Sequence, residues 1–186
     1  MNISDIFKDH IDLINKVEKN SDLILKAASK LTSILKNGNK ILFMGNGGSA
    51  ADSQHLAAEL IGRFQKERDS IPAIALTTDT SILTAIGNDY SFNDIFKRQV
   101  QGLANAGDAV FGLSTSGNSQ NVIEAFNEAK RKNAFTIALT GKDGGKIKDI
   151  ADLNIIIPSD ITARIQEAHI LIGHILCELI EEEFCE

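Results

Sequence analysis

His55 and Glu59 stand four residues apart, just beyond the run Gly45-Asn46-Gly47-Gly48-Ser49. In a helix these two side chains share one face, about 6 Å apart along the axis. An imidazole and a carboxylate so placed can hold a divalent metal ion, pass a proton, or form an ordinary i, i+4 pair. Four apolar residues, Ile41 to Met44, precede the glycine run. Strand, glycine turn and helix in that order point backbone N–H groups at a helix N-terminus, which suits an anion or a polar ligand. The combination predicts chemistry on a small phosphorylated molecule.

A second loop has the composition of a phosphate site. Ser114-Thr115-Ser116-Gly117-Asn118-Ser119 follows the apolar run 109–113 and opens a helical segment at Asn121-Val122-Ile123. Four hydroxyls and a glycine at a helix N-terminus can bind phosphate without a lysine, although a plain capped turn has the same composition. No Gly-Lys-Ser/Thr follows, so this is not a nucleotide-hydrolysing P-loop. Gly45-x-Gly47 is no dinucleotide fingerprint either. Ala50 stands at the third glycine's place, and the next apolar run ends without a ribose-binding acid, Asp79 coming only nearby.

The C-terminal segment adds Gln166 and His174, neither of which belongs to an apolar stripe. Two histidines and a glutamate are good Zn²⁺ ligands, and a glutamine can add an oxygen. Eight residues of helix separate Gln166 from His174 by about 12 Å and about 80° around the axis. That separation predicts that part of the site crosses a subunit boundary. His169 lies about 140° around the helix from His174 and reads as a packing histidine. His10 reads as a surface residue. Asn88-Asp89 is a loop pair that could bind sugar hydroxyls or make a turn, and Arg63 could pair with Glu59 or reach a substrate. The turn Gly141-Lys142-Asp143-Gly144-Gly145 reads as structural.

These residues need a scaffold, and the hydrophobic pattern supplies one. Apolar runs at 41–44, 73–76, 109–113, 135–139 and 153–157 predict buried parallel strands. Helical stretches near 50–66, 80–86, 92–105 and 119–132 lie between them. Residues 4–36 predict two further helices, the second capped by Ser21 and stopped by Asn37-Gly38-Asn39, and 163–183 predict one long helix. The expectation is one α/β domain over 1–186, a mostly parallel five-stranded sheet with 1–36 as a helical N-terminal extension. Ligands bind such sheets at the carboxyl ends of the strands, where the loops above lie.

Composition narrows the class. The 186 residues are 43% hydrophobic and 24% charged, with a formal charge of −6 and scattered basic residues. That excludes disorder and disfavours a nucleic-acid partner, and no helix-turn-helix segment is present. No signal peptide is visible at Met1–Asp5, and no apolar run is long enough to span a membrane. Cys177 and Cys185 form no paired motif and read as reduced thiols of a cytoplasmic protein.

GNGGS, STSGNS, TGKDGG and ARIQE, in this order and spacing, resemble the sugar isomerase (SIS) domain family, and within it the bacterial phosphoheptose isomerases. The resemblance covers nearly the whole chain. It implies a flavodoxin-like three-layer sandwich assembled as a homotetramer with active sites at subunit interfaces. The implied activity interconverts D-sedoheptulose 7-phosphate and D-glycero-D-manno-heptose 7-phosphate, a first step toward nucleotide-activated heptose for lipopolysaccharide or capsule. Carried over by motif, His55, Glu59, Gln166 and His174 are the ligands of one Zn²⁺ per subunit, with Glu59 and His174 catalytic. Substrate contacts fall on Asn46, Gly47, Gly48, Ser49, Asn88, Asp89, Ser114, Thr115, Ser116, Ser119 and Gln166, to which the reading of the residues themselves adds Glu59 and Arg63. A related SIS tetramer binds the bacterial replication initiator without known isomerase activity. The run QVQGLANAGD resembles it, and Ala163 stands where some isomerases carry an aspartate. That regulator replaces Glu59 and His174, both of which are present here.

Overall fold

A computed structural model of the chain describes residues 2–185. Among these, five strands, β1 (Ile41–Gly45), β2 (Ala73–Ala75), β3 (Ala109–Ser114), β4 (Phe135–Gly141) and β5 (Leu153–Ile157), form one parallel sheet in the order β2-β1-β3-β4-β5. Seven α-helices accompany them: α1 (Ile3–Val17), α2 (Ser21–Lys36), α3 (Gly48–Ile61), α4 (Thr80–Asp89), α5 (Ile95–Leu103), α6 (Gln120–Arg131) and α7 (Thr162–Glu182). This is the flavodoxin-like order expected.

Alternation along β1 shows how the layers are made. Ile41 and Phe43 enter a cluster with Leu31 of α2, Leu56 and Leu60 of α3, Phe111 of β3, and Ile172 and Leu176 of α7. Leu42 and Met44 point the other way, into a cluster with Phe96 and Val100 of α5 and Val122 and Phe126 of α6. Both faces of the strand are therefore buried, which is why it reads as an unbroken apolar run rather than an alternating one. Leu13 and Val17 of α1 and Ile24 of α2 share the first cluster, so the N-terminal helices pack on the same core as α3 and α7.

Several boundaries differ from the sequence expectation. Ser21 is not the cap of α2. Asn20 holds that position, and the Ser21 hydroxyl donates back to the Glu18 carbonyl, continuing the short turn that joins α1 to α2. The stop at the other end forms as expected. Gly38 takes φ +79°, its N–H donates to Leu35, and the Asn39 N–H donates to Ile34, closing a Schellman motif. α3 ends at Ile61 rather than near 66, because an irregular segment follows that is held by α7. Asn88 and Asp89 are not a loop but the last turn of α4, a helix with no buried residue.

Candidate active site

In the order β2-β1-β3, chain direction across the sheet reverses between β1 and β3, and ligands favour the crevice above such a switch point. The turn 45–48 leaves β1 there, and the loop 114–119 leaves β3. Asn46 and Asn121 tie the two together, each amide donating to the other's oxygen at 2.9 and 2.8 Å. Asn121 is buried, so this double bridge is a fixed strut between the loops. In the sequence Asn121 marks only the start of α6, and nothing local reveals a partner 75 residues away.

The loop 114–119 is shaped by its own short-range bonds. The Ser114 and Ser119 hydroxyls pair at 2.8 Å. The Asn118 N–H donates to the Ser116 hydroxyl at 3.1 Å, and the Gly117 N–H to the Ser114 carbonyl. Gly117 takes φ +64°, and a Cβ there would fall 2.1 Å from the Gly144 carbonyl oxygen, so only glycine fits. The turn at Gly141–Gly145 is therefore the buttress of this loop. The Ile147 N–H donates to the Gly117 carbonyl and the Lys146 N–H to the Asn118 side chain. Ser119 is the residue before α6 and makes no capping bond of its own, leaving its hydroxyl on Ser114.

The second half of the site is the seam between α3 and α7. Gln166 lies over Gly48, where a Cβ would meet its Nε2 at 2.5 Å, and Leu56 lies against Gly173 in the same way at 2.5 Å. Contacts 48–166 and 56–173 advance together along both chains, so the helices run parallel and nearly touch. This close approach sets His55 Nε2 2.8 Å from His174 Nε2 and 3.2 Å from Glu59 Oε1. His55, Glu59 and His174 each offer a ligand atom, and these atoms all lie within 4.8 Å of one another. Phe64 backs the group, with its ring 5.6 Å from that of His174. His55 is half exposed, so the cluster faces outward from this chain.

The other expected site residues fall in different places. Gln166 sits over Gly48 at the start of α3, seven residues or about 10 Å of helix before His55. Ser49 is buried beneath the turn, its Cβ facing Gly45. Arg63 is exposed beyond the end of α3 and turns to Glu67 and the Gln65 carbonyl rather than to Glu59. Asn88 and Asp89 are exposed and hydrogen-bonded to each other. His10 is half-buried rather than free on the surface, and its Nδ1 lies 2.6 Å from Glu167 of α7.

Two further buried groups lie beside the cluster. Asp52, one turn before His55, has a buried Oδ2 without a partner, and burial raises its carboxyl above the usual range against the pull of His55. Cys177, buried in α7, has its thiol pushed up to about 12 by burial, with Glu59 and Glu181 adding and Arg68 opposing. It is an inert packing residue despite its position near the site.

Known proteins resemble this chain over nearly its whole length. The SIS domain model matches residues 7–141, which takes in the turn at β1, His55, Glu59 and the loop 114–119 but stops before α7. A phosphoheptose isomerase of Aquifex aeolicus is 54% identical over 185 residues, covering 99% of this chain and 97% of its own length. One from Nitratiruptor is 64% identical over 150 residues, or 81% of this chain and 80% of the relative. The structure of the Neisseria gonorrhoeae phosphoheptose isomerase superposes with a TM-score of 0.92 at 47% identity, with 97% of each chain covered. With these likenesses running through α7 as well as through the domain match, the chain belongs to the SIS-domain phosphoheptose isomerase family.

Proposed function

We propose that the chain is an aldose–ketose isomerase that interconverts D-sedoheptulose 7-phosphate and D-glycero-D-manno-heptose 7-phosphate, supplying heptose for activation and transfer to a surface glycan. The observation that carries this reading is the meeting of His55, Glu59 and His174 within 4.8 Å, on a seam whose helix α3 begins at the glycine turn after β1. The names of the relatives favour an isomerase over an initiator-binding regulator. So does the pairing of Glu59 and His174, which a regulator does not need.

Isomerisation requires ring opening and movement of a proton between two adjacent carbons through an enediol. Glu59 takes the proton from C1 of the ketose and returns it to C2. His174 gives a proton to the C2 oxygen and receives one from the C1 hydroxyl, so no net proton is gained or lost. Glu59 presents Oε1 to His55, which leaves its second oxygen for the carbon acid. Ser114, Thr115, Ser116 and Ser119 bind the phosphate, with the N-terminus of α6 favouring its charge. Asn46, Gly47 and Gly48 line the sugar chain, with Gln166 beside Gly48.

Two imidazole nitrogens and a carboxylate oxygen within one coordination shell are a donor set suited to Zn²⁺. His55, Glu59 and His174 would hold the ion, with Gln166 offering a side-chain oxygen as a further ligand, and the ion when bound would supply Lewis acidity toward the substrate oxygens.

The reading also includes self-association, a tetramer with sites completed between subunits. Its support is the exposed apolar stripe Ile3, Phe7 and Ile11 on α1 and the absence of any buried residue in α4, which carries Asn88 and Asp89. Among the described residues no helix is long and apolar enough to cross a membrane. Both cysteines are free, in keeping with the cytoplasm as the compartment.

The test is a coupled assay with sedoheptulose 7-phosphate on zinc-loaded protein whose mass is read by sedimentation. Turnover by a tetramer, lost on chelation and restored by zinc, is expected. No turnover by the loaded protein overturns the assignment.

A further inference from the structure

Beyond the cluster, α3 ends against a buried ion pair that the reaction does not use. The Glu181 and Arg68 side chains are 2% and 1% exposed, and Arg68 Nε lies 3.1 Å from Glu181 Oε1. Glu181 also accepts three successive backbone N–H groups, from Phe64 at 2.8 Å, Gln65 at 2.7 Å and Lys66 at 2.9 Å. Burial raises its carboxyl, but those N–H groups and Arg68 outweigh burial and hold it below the usual carboxylate range. It is a charged anchor.

Arg68 turns its remaining donors to the open end of α3. Nη2 donates to the Glu59 carbonyl at 2.9 Å, and Nη1 to the Leu60 carbonyl at 2.9 Å and the Asp69 carbonyl at 2.8 Å. The last carbonyls of a helix have no partners within it. Here a guanidinium fork fills two of them, at Glu59 itself and at the next residue. On α7, Glu181 lies seven residues beyond His174, two turns along nearly the same face. The strap 64–66 held by Glu181 begins with Phe64, whose ring backs His174.

We infer that Arg68 and Glu181 form a positioning latch that fixes Glu59 on α3 relative to His174 on α7, and with it the catalytic and ligand geometry between them. The inference rests on the function proposed above for those two residues. A buried pair could serve stability alone, and the molecule contains a comparison. Just before β1 and β3, Asp108 is likewise buried, with Lys40 Nζ at 2.6 Å and the Lys40 and Asn105 N–H groups at 3.0 and 2.8 Å. It has the same construction and touches no site residue.

The experiment compares Arg68→Lys, which keeps the charge but loses the fork, with Asp108→Asn. Two readouts are used, steady-state kinetics and Co²⁺ affinity of the metal-free protein followed by visible absorption. Arg68→Lys is expected to lower kcat about 10- to 100-fold with KM within about twofold, and to weaken Co²⁺ binding about tenfold. Asp108→Asn is expected to lower the melting temperature while leaving both readouts near wild type. Wild-type kcat and Co²⁺ affinity in Arg68→Lys overturn the latch. If Arg68→Lys does not fold, Glu181→Gln takes its place in both measurements, and wild-type values there overturn the latch equally. A wild-type protein that turns over no heptose phosphate sinks the proposed function, while the Co²⁺ titration still decides the latch.

Discussion

The loop 114–119 and the α3–α7 seam are two halves of one candidate site built by opposite means. The loop is contiguous, and bonds spanning two to five residues shape it: Ser114 to Ser119, Asn118 to Ser116, Gly117 to Ser114. The seam brings together groups 119 residues apart, His55 and His174, through two helices that nearly touch. An anion needs N–H groups and hydroxyls in a fixed curve, which turn chemistry provides locally. Ligands and proton carriers need two or three side chains converging from different directions, which one short segment cannot supply. The loop should therefore govern affinity for the phosphate, and the seam should govern the rate.

The sharpest way to break that division is Glu59→Gln. This change keeps the size of the side chain and removes its basicity, so a fall of about 1000-fold in kcat is expected with the sedimentation profile unchanged. Near-normal turnover would remove Glu59 as the base and leave the seam without a catalytic role. Ser116→Ala probes the other half. The loss of one donor to a charged phosphate should raise KM about tenfold and leave kcat within about twofold, as measured by initial rates. An unchanged KM would take the phosphate away from this loop.

A smaller effect separates the halves by pH. The loop has no titratable side chain, whereas α7 carries His169, fully buried with both ring nitrogens unpartnered. Burial lowers its imidazole from the usual 6.5 to about 4, with the Thr140 backbone opposing. The unfolded chain thus binds a proton near 6.5 that the native state refuses until about 4, so acidification through this window favours unfolding. Melting temperatures measured between about pH 7 and 4 should fall less steeply in His169→Leu than in the wild type. Parallel slopes would mean that His169 does not set the acid limit.

Much of the scaffold was legible because its signals are local. Runs such as Ile41–Met44 mark strands buried on both faces, and Asn37-Gly38-Asn39 marks a helix end by the left-handed glycine it contains. Where the structure departs from the sequence expectation, the backbone has settled on a different hydrogen-bonding pattern. α3 stops at Ile61, where Arg68 and Glu181 claim its end, and α4 continues through Gly87 to Asp89, with the Tyr90 N–H donating to the Ile86 carbonyl. Ser21 gives its hydroxyl to Glu18 rather than to α2, since the preceding turn is itself helical.

The sequence by itself determined the alternation of strands and helices, the two polar loops after β1 and β3 and the His55–Glu59 face of α3. Each depends on residues within a few positions of one another, where backbone preference and side-chain period act directly. Only the tertiary structure decided which distant groups meet. It set His174 beside His55, laid Gln166 over Gly48, joined Asn46 to Asn121, and closed α3 with an arginine anchored on α7. Those contacts follow from how closely two helices can approach and which buried charges must find partners, and neither quantity exists until the chain has folded.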